Sequence, residues 1–241
     1  MGKGSGGTRG EDKTHGYKWT QSDIDRLTKE GWKINATARE LNETFANWDL
    51  KKNIEEINEH ANELGLHVDG VRVNDYSVKF RLKDNQGRLI AYISREMTVD
   101  SRRGVKSMEN ALFEIYDSNY QGKGISKTVL RTMIQGAKRS GYARVDVHAN
   151  LDVGGYTWAK YGFKARDYSN AMRAVIDSEL GRKVVTLYYK NHKTSDPFPM
   201  QELIKAGVKK EELMGTSWMG FLDLQDRKQM KYFQQYVNRR G

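Results

Sequence analysis

Apolar residues change their spacing along the chain near residue 65. Before that point they recur every three to four positions. Ala38, Leu41, Phe45 and Trp48 share one face of a helix predicted over 36–48, and Ile54, Ile57, Ala61 and Leu64 share one face of a second over 50–64, which Gly65 ends. Thr20 or Ser22 can cap a shorter helix running through Leu27. From Leu66 the period is two. Val78, Phe80 and Leu82 alternate with Lys79, Arg81 and Lys83, the turn residues Asp84, Asn85, Gln86 and Gly87 follow, and a strand resumes over 89–97. This pattern predicts a hairpin. A basic loop over 101–106 leads to a strand over 108–116, with Phe113 and Ile115 on one face and Leu112, Glu114 and Tyr116 on the other. A glycine turn follows, then a helix over 125–139, a strand over 143–149, a short helix over 156–161 and a strand over 183–190 (KVVTLYYK). Residues 199–241 are predicted to be mostly helical, ending in an aromatic-rich amphipathic helix over 226–236.

Composition narrows the class. The chain has 241 residues, five Trp, thirteen Tyr and seven Phe, enough large side chains for a true core. It has no cysteine, which excludes disulfides, thiolate metal sites and a thiol nucleophile. The five histidines show no metal-ligand spacing, so no metal is expected. No apolar run approaches the ~20 residues of a membrane span. The first sixteen residues, with six glycines and Lys3, Arg9 and Lys13, lack the apolar stretch of a secretory signal, and Gly6 stands where myristoylation needs Ser or Thr. They read as a flexible basic tail. The net charge of +10 fits an anionic partner, such as nucleic acid or a phosphorylated cofactor, and equally fits plain solubility.

Gln121, Gly122, Lys123, Gly124, Ile125 and Ser126 form a turn between a predicted strand and a predicted helix. Such a turn directs backbone N–H groups at an anion, the helix dipole adds attraction, and the glycines permit close approach. Lys123 and Lys127 add positive charge. A Walker P-loop would need glycines where Gln121 and Ser126 stand, and the dinucleotide pattern would need one at Lys127, so both registers fail. The turn instead resembles the Gln/Arg-x-x-Gly-x-Gly/Ala loop of the GNAT acetyltransferases, with Gln121, Gly124 and Ser126 in the fixed places. Further on, Gly154-Gly155-Tyr156-Thr157-Trp158-Ala159-Lys160-Tyr161-Gly162-Phe163 resembles the second motif of that family, a short helix ending in Gly-Phe. The resemblance covers about residues 66–190. It implies an α+β fold with a mixed, mainly antiparallel sheet flanked by helices, carrying helical extensions over 17–65 and 191–241.

The resemblance also implies a chemistry: transfer of an acetyl group from acetyl-CoA, as co-substrate, to an amine acceptor whose identity the sequence does not give. Backbone amides from Gln121 to Ser126 would hold the pyrophosphate, with Lys127 adding charge, and the strand through Glu114, Ile115, Tyr116 and Asp117 would splay from its neighbour and pair with the pantetheine arm. Amine acylation needs a base, a donor for the thioester oxygen and an acid for the leaving thiolate. Glu114 is the candidate base. His148, on the adjacent predicted strand, is a second titratable candidate. The family's acid position falls on Trp158, so Tyr156 or Tyr161 would have to substitute, with Tyr156 the first choice. The alternative is a non-catalytic GNAT-like interaction module. The Gly154–Phe163 motif together with the segment TSWMGFLDL resembles acetyltransferase-like domains of bacteriophage proteins, which implies a virion setting instead of the cytoplasm, with the basic tail and helical extensions contacting nucleic acid or virion subunits, and an oligomer open as a further arrangement.

Overall fold

The computed structural model describes residues 16–100, 104–149 and 154–238. The predicted tail up to residue 15 and residues 101–103 of the predicted 101–106 loop lie outside them, and the end of that loop, from Val105, is strand instead. Three helices and a short strand come first. α1 (Gln21–Lys29) starts at Thr20, whose hydroxyl accepts from Asp23 N while the Asp23 carboxylate accepts from Thr20 N, satisfying two otherwise orphaned donors. After β1 (Lys33–Asn35), α2 (Ala38–Thr44) begins with the same reciprocal cap, Thr37 with Glu40. α2 stops short of the predicted end. The chain turns through Asn47 at φ 61°, and the turn folds Phe45 and Trp48 inward, so both are fully buried although neither is helical. α3 (Leu50–Glu63) follows, with Ile54, Ile57 and Ala61 inward as predicted.

Next comes a meander of β2 (Leu66–Asn74), β3 (Ser77–Asp84), β4 (Leu89–Asp100) and β5 (Val105–Ile115), each antiparallel to the one before. α4 (Ile125–Arg139) crosses to β6 (Arg144–Ala149), which lies parallel to β5. α5 (Gly154–Lys160), β7 (Lys164–Ala165), α6 (Tyr168–Ala174), α7 (Glu179–Tyr189), β8 (Phe198–Pro199), α8 (Gln201–Lys205), β9 (Trp218–Asp223) and α9 (Arg227–Val237) complete the described chain. The strands form one sheet in the order β1-β2-β3-β4-β5-β6-β9-β7-β8, parallel only at β1/β2 and β5/β6. The fold is therefore mixed α+β with a mainly antiparallel sheet. Val78, Phe80 and Leu82 are buried, and α3 packs against both β2 and α4. Lys79, Arg81 and Lys83 stay half-buried on the opposite face. None of the described helices is long and apolar enough to cross a membrane.

Two expectations about the later chain are corrected. KVVTLYYK is the body of helix α7, not a strand. Ser178 caps it by accepting from Gly181 N at 2.9 Å, and Gly181 and Val185, one turn apart, form its buried line. The stretch after residue 190 is not mostly helical either, because β9 inserts between β6 and β7. Its Gly220 is required by packing: a Cβ there would sit 2.2 Å from the Trp218 ring and 2.6 Å from the Lys164 carbonyl.

Candidate functional site

β5 and β6 pair at Ser107↔Arg144, Met108↔Val145 and Glu109↔Asp146, and no further. Beyond those pairs β5 continues to Ile115 alongside β4, while β6 continues to Ala149 alongside β9. The two parallel strands thus part after Glu109 and Asp146 and leave a cleft between them. Residues 110–115 face it with no strand partner on that side among the described residues. The parting coincides with a bulge. The β4/β5 register steps from Ser94↔Leu112 to Glu96↔Glu109, so Asn110 and Ala111 together oppose Arg95.

The glycine turn stands at the open end of this cleft. After β5 a 3-10 turn over Ser118–Tyr120 leads into Gln121, whose Nε2 lies 3.4 Å from the Ile115 carbonyl. Gly122 and Gly124 have φ of 78° and 87°, in the left-handed region that favours glycine. Gly124 is the N-cap of α4 and supplies no side-chain acceptor, so the first N–H groups of the helix lack a cap from that residue. Ile125 is buried in the core and Lys123 Nζ lies 5.8 Å from the Tyr120 ring centre. Every predicted anion-binding residue from Gln121 to Lys127 therefore falls on one turn and one helix start.

The predicted proton-handling residues are dispersed. Glu114 lies on β5 beyond the bulge, opposite Tyr92. Burial, and then the Glu114 carboxylate beside it, raise the Tyr116 phenol above its ordinary range. His148 is exposed on β6, with Nε2 2.9 Å from Ser217 Oγ. Tyr156 is half-buried on α5, with Lys160 Nζ 5.2 Å from its ring centre. No described hydrogen bond joins Glu114, His148 and Tyr156 to one another. Trp158 belongs to the core, packed on Phe163 with ring centres 5.0 Å apart. Tyr161, the other tyrosine of the motif, donates its hydroxyl to Ser126 Oγ at 3.0 Å, and burial raises its phenol far above the ordinary range. It ties α5 to the first turn of α4.

Three features of this site were not singled out in the sequence. Tyr236 of α9 has Lys127 Nζ and Lys160 Nζ at 5.2 and 5.3 Å from its ring centre, so the last helix borders the turn. Burial opposes the Lys160 charge, but the Tyr236 and Tyr156 phenols hold its ammonium above the usual lysine range. His60 of α3 reaches the turn from below. Its Nδ1 is 3.2 Å from Glu63 Oε2, its Nε2 is buried without a hydrogen-bond partner, and a Cβ on Gly124 would stand 3.5 Å from that Nε2. Arg95 lies wholly buried at the bulge. For Arg95 a signal existed: it shares strand parity with Ala91, Ile93 and Met97, which puts a cation in an apolar row. For Tyr236 and His60 no local pattern points to the turn. Among the described residues no group of three or more His, Asp or Glu could hold a metal ion.

No protein-family model matches the chain, and no curated protein matches it. Solved structures do. A GNAT family acetyltransferase from Elizabethkingia anophelis with acetyl-CoA bound is 14% identical, with a TM-score of 0.33 over 61% of this chain and 76% of that one. An N-acyl amino acid synthase from uncultured soil microbes is 10% identical, with a TM-score of 0.36 over 75% of this chain and 94% of that one. A nourseothricin acetyltransferase is 13% identical, with a TM-score of 0.30 over 37% of this chain, which spans about half, 51%, of its length.

Proposed function

We propose that this chain is a GNAT-like N-acyltransferase that moves an acetyl group from acetyl-CoA to an amine. One observation carries the reading: two parallel strands part after three paired positions, and the glycine turn with its uncapped helix start sits at the open end. The chain's residues fit the co-substrate. Gly122 has nothing within 4 Å of its missing Cβ, so a pyrophosphate can approach the amides of 122–126, with Lys123 and Lys127 beside it. Along the cleft wall the backbone of Ile115 supplies the hydrogen-bonding groups for the pantetheine arm, because Glu114 pairs with Tyr92 and the Tyr116 N–H donates to the Ile90 carbonyl on the β4 side.

In this reading Glu114 takes a proton from the incoming ammonium. The amine nitrogen bonds to the thioester carbonyl carbon, the C–S bond breaks, and sulfur leaves with the electron pair. Tyr156 is the proposed donor to that sulfur, and His148 a second proton acceptor at the cleft's far wall. A second reading, a GNAT-like module that binds without catalysing, is favoured by Trp158, a core residue where the resemblance places a phenol. Under that reading the partner is nucleic acid or a virion subunit.

Calorimetry with acetyl-CoA decides between them. The wild type should bind in the micromolar range, and Gly124→Arg, which forces a side chain into a left-handed position against His60, should not. No heat at millimolar acetyl-CoA would end the acyltransferase reading. Salt-sensitive nucleic-acid binding that survives Gly124→Arg would establish the second.

A further inference from the structure

Arg95 has no exposed surface. Its Nη1 donates to the Ser94 carbonyl at 2.9 Å and to the Leu112 carbonyl at 3.0 Å, and its guanidinium carbon lies 5.7 Å from the centre of the Phe113 ring. Its Nε and Nη2 are buried with no partner, and it forms no ion pair among the described residues. Its neighbour across the β3/β4 ladder is Val78, and the carboxylates next along the ladder, Glu96 and Glu109, point to the opposite face of the sheet. Burial alone pushes its pKa down to about 9, so it remains a cation at neutral pH. A buried charge without a counter-charge is strongly unfavourable, and an apolar residue of similar size is generally tolerated better. Something other than stability holds an arginine in this row.

Position suggests what. Leu112 lies on the stretch of β5 that borders the cleft. Strands are spaced by ~4.8 Å, so the guanidinium is within roughly one to two spacings of a thioester lodged there. Acyl transfer puts negative charge first on the carbonyl oxygen and then on the leaving sulfur. We propose that Arg95 is a positioning residue for this reaction, a buried positive charge that stabilises the oxyanion and the departing thiolate without touching either. The inference rests on the acyltransferase reading, and it supplies an electrostatic partner for the thiolate on a chain whose expected acid position is Trp158. The thiolate then takes its proton from Tyr156 or from water. A unit charge ~8 Å away through an effective dielectric of ~20 changes a rate by about thirty-fold, or a thiol pKa by about 1.5 units.

The test needs no knowledge of the acceptor. Free CoA is bound to the full chain and its thiol is titrated by the ultraviolet absorbance of the thiolate. In the wild type the bound thiol should ionise about one to 1.5 pH units below free CoA. Arg95→Lys, which keeps the charge, should preserve most of that shift. Arg95→Gln, which keeps a donor for the Leu112 carbonyl but loses the charge, should abolish it while retaining CoA affinity. Arg95→Met serves in place of the glutamine variant if that one does not fold. An undiminished shift in Gln or Met would overturn the proposal, as would an unshifted thiol in a wild type that binds CoA. A wild type that binds neither CoA nor acetyl-CoA brings down the acyltransferase reading itself, which is a different result.

Discussion

Tyr161 and Tyr156 lie on successive turns of one motif and have different surroundings. The Tyr161 hydroxyl is committed to Ser126, and its phenol is held protonated by burial. Tyr161→Phe should therefore cost about 1 kcal/mol in urea unfolding, the typical net worth of one hydrogen bond, and leave unchanged the pH dependence of the proposed acetyl transfer. Tyr156 is half-buried, with the Lys160 ammonium over its ring. If it protonates the departing sulfur, Tyr156→Phe should lower kcat about ten-fold or more with little change in affinity for acetyl-CoA. Rates for the two variants from pH 6 to 10 settle the assignment, and an equal effect from both would mean that neither acts as an acid.

α7 and α9 show how far local sequence goes. For α9, Asp226 accepts from Lys228 N and Gln229 N and also pairs with Lys164 Nζ at 2.7 Å. The Lys164 bond, then the Gln229 N–H, hold its carboxyl below the ordinary range. A carboxylate with a depressed folded pKa contributes stability above its unfolded pKa of ~3.9, and that stability is lost as pH falls through the folded value. Asp226→Asn keeps the cap and loses the ion pair, so it should be slightly less stable than wild type at pH 7, and the difference should shrink as pH falls through the depressed folded value. Asp226→Ala loses the cap too and should cost about 1 kcal/mol more in denaturant melts. That helix was legible because the cap and the apolar stripe agree. α7 was not: Val184, Val185, Tyr188 and Tyr189 favour strands on their own, and its determinants lie outside the octapeptide. Ser178 caps it while donating to Glu212 Oε1, far along the chain, at 2.7 Å. Ser178→Ala should cost about 1–2 kcal/mol in the same melts, because it leaves Gly181 N unsatisfied in a buried place. The meander, α4 and the glycine turn were legible for the reason α9 was: period, turn chemistry and glycines all point one way. The parting of β5 from β6 was stated only through a family resemblance, since strand pairing over long separations leaves no local trace.

At the scale of the whole molecule, the sheet order decides which parts of the chain stand together. Residues 191–241 read as an appendage when taken in sequence, yet β9 is the strand that joins the meander and β6 to β7 and β8. It pairs with β6 along Arg144↔Asp223 to Ala149↔Trp218 and with β7 at Lys164↔Phe221. Without it the far wall of the cleft would be an unpaired edge, and the β7/β8 pair would have no sheet to join. It also places Trp218, Leu222 and Leu224 in the core, each at most 1% exposed. Burying a large apolar side chain contributes about 1.5–3 kcal/mol, so these three contribute roughly 5–9 kcal/mol, comparable to the ~5–15 kcal/mol that holds an ordinary domain folded. A chain ending at residue 216 should therefore lose its near-ultraviolet circular dichroism and its cooperative thermal transition, and should not bind acetyl-CoA. A cooperative transition in that shortened chain would show that residues up to 216 fold without β9 and α9, and that the cleft needs no support from the strand beside β6.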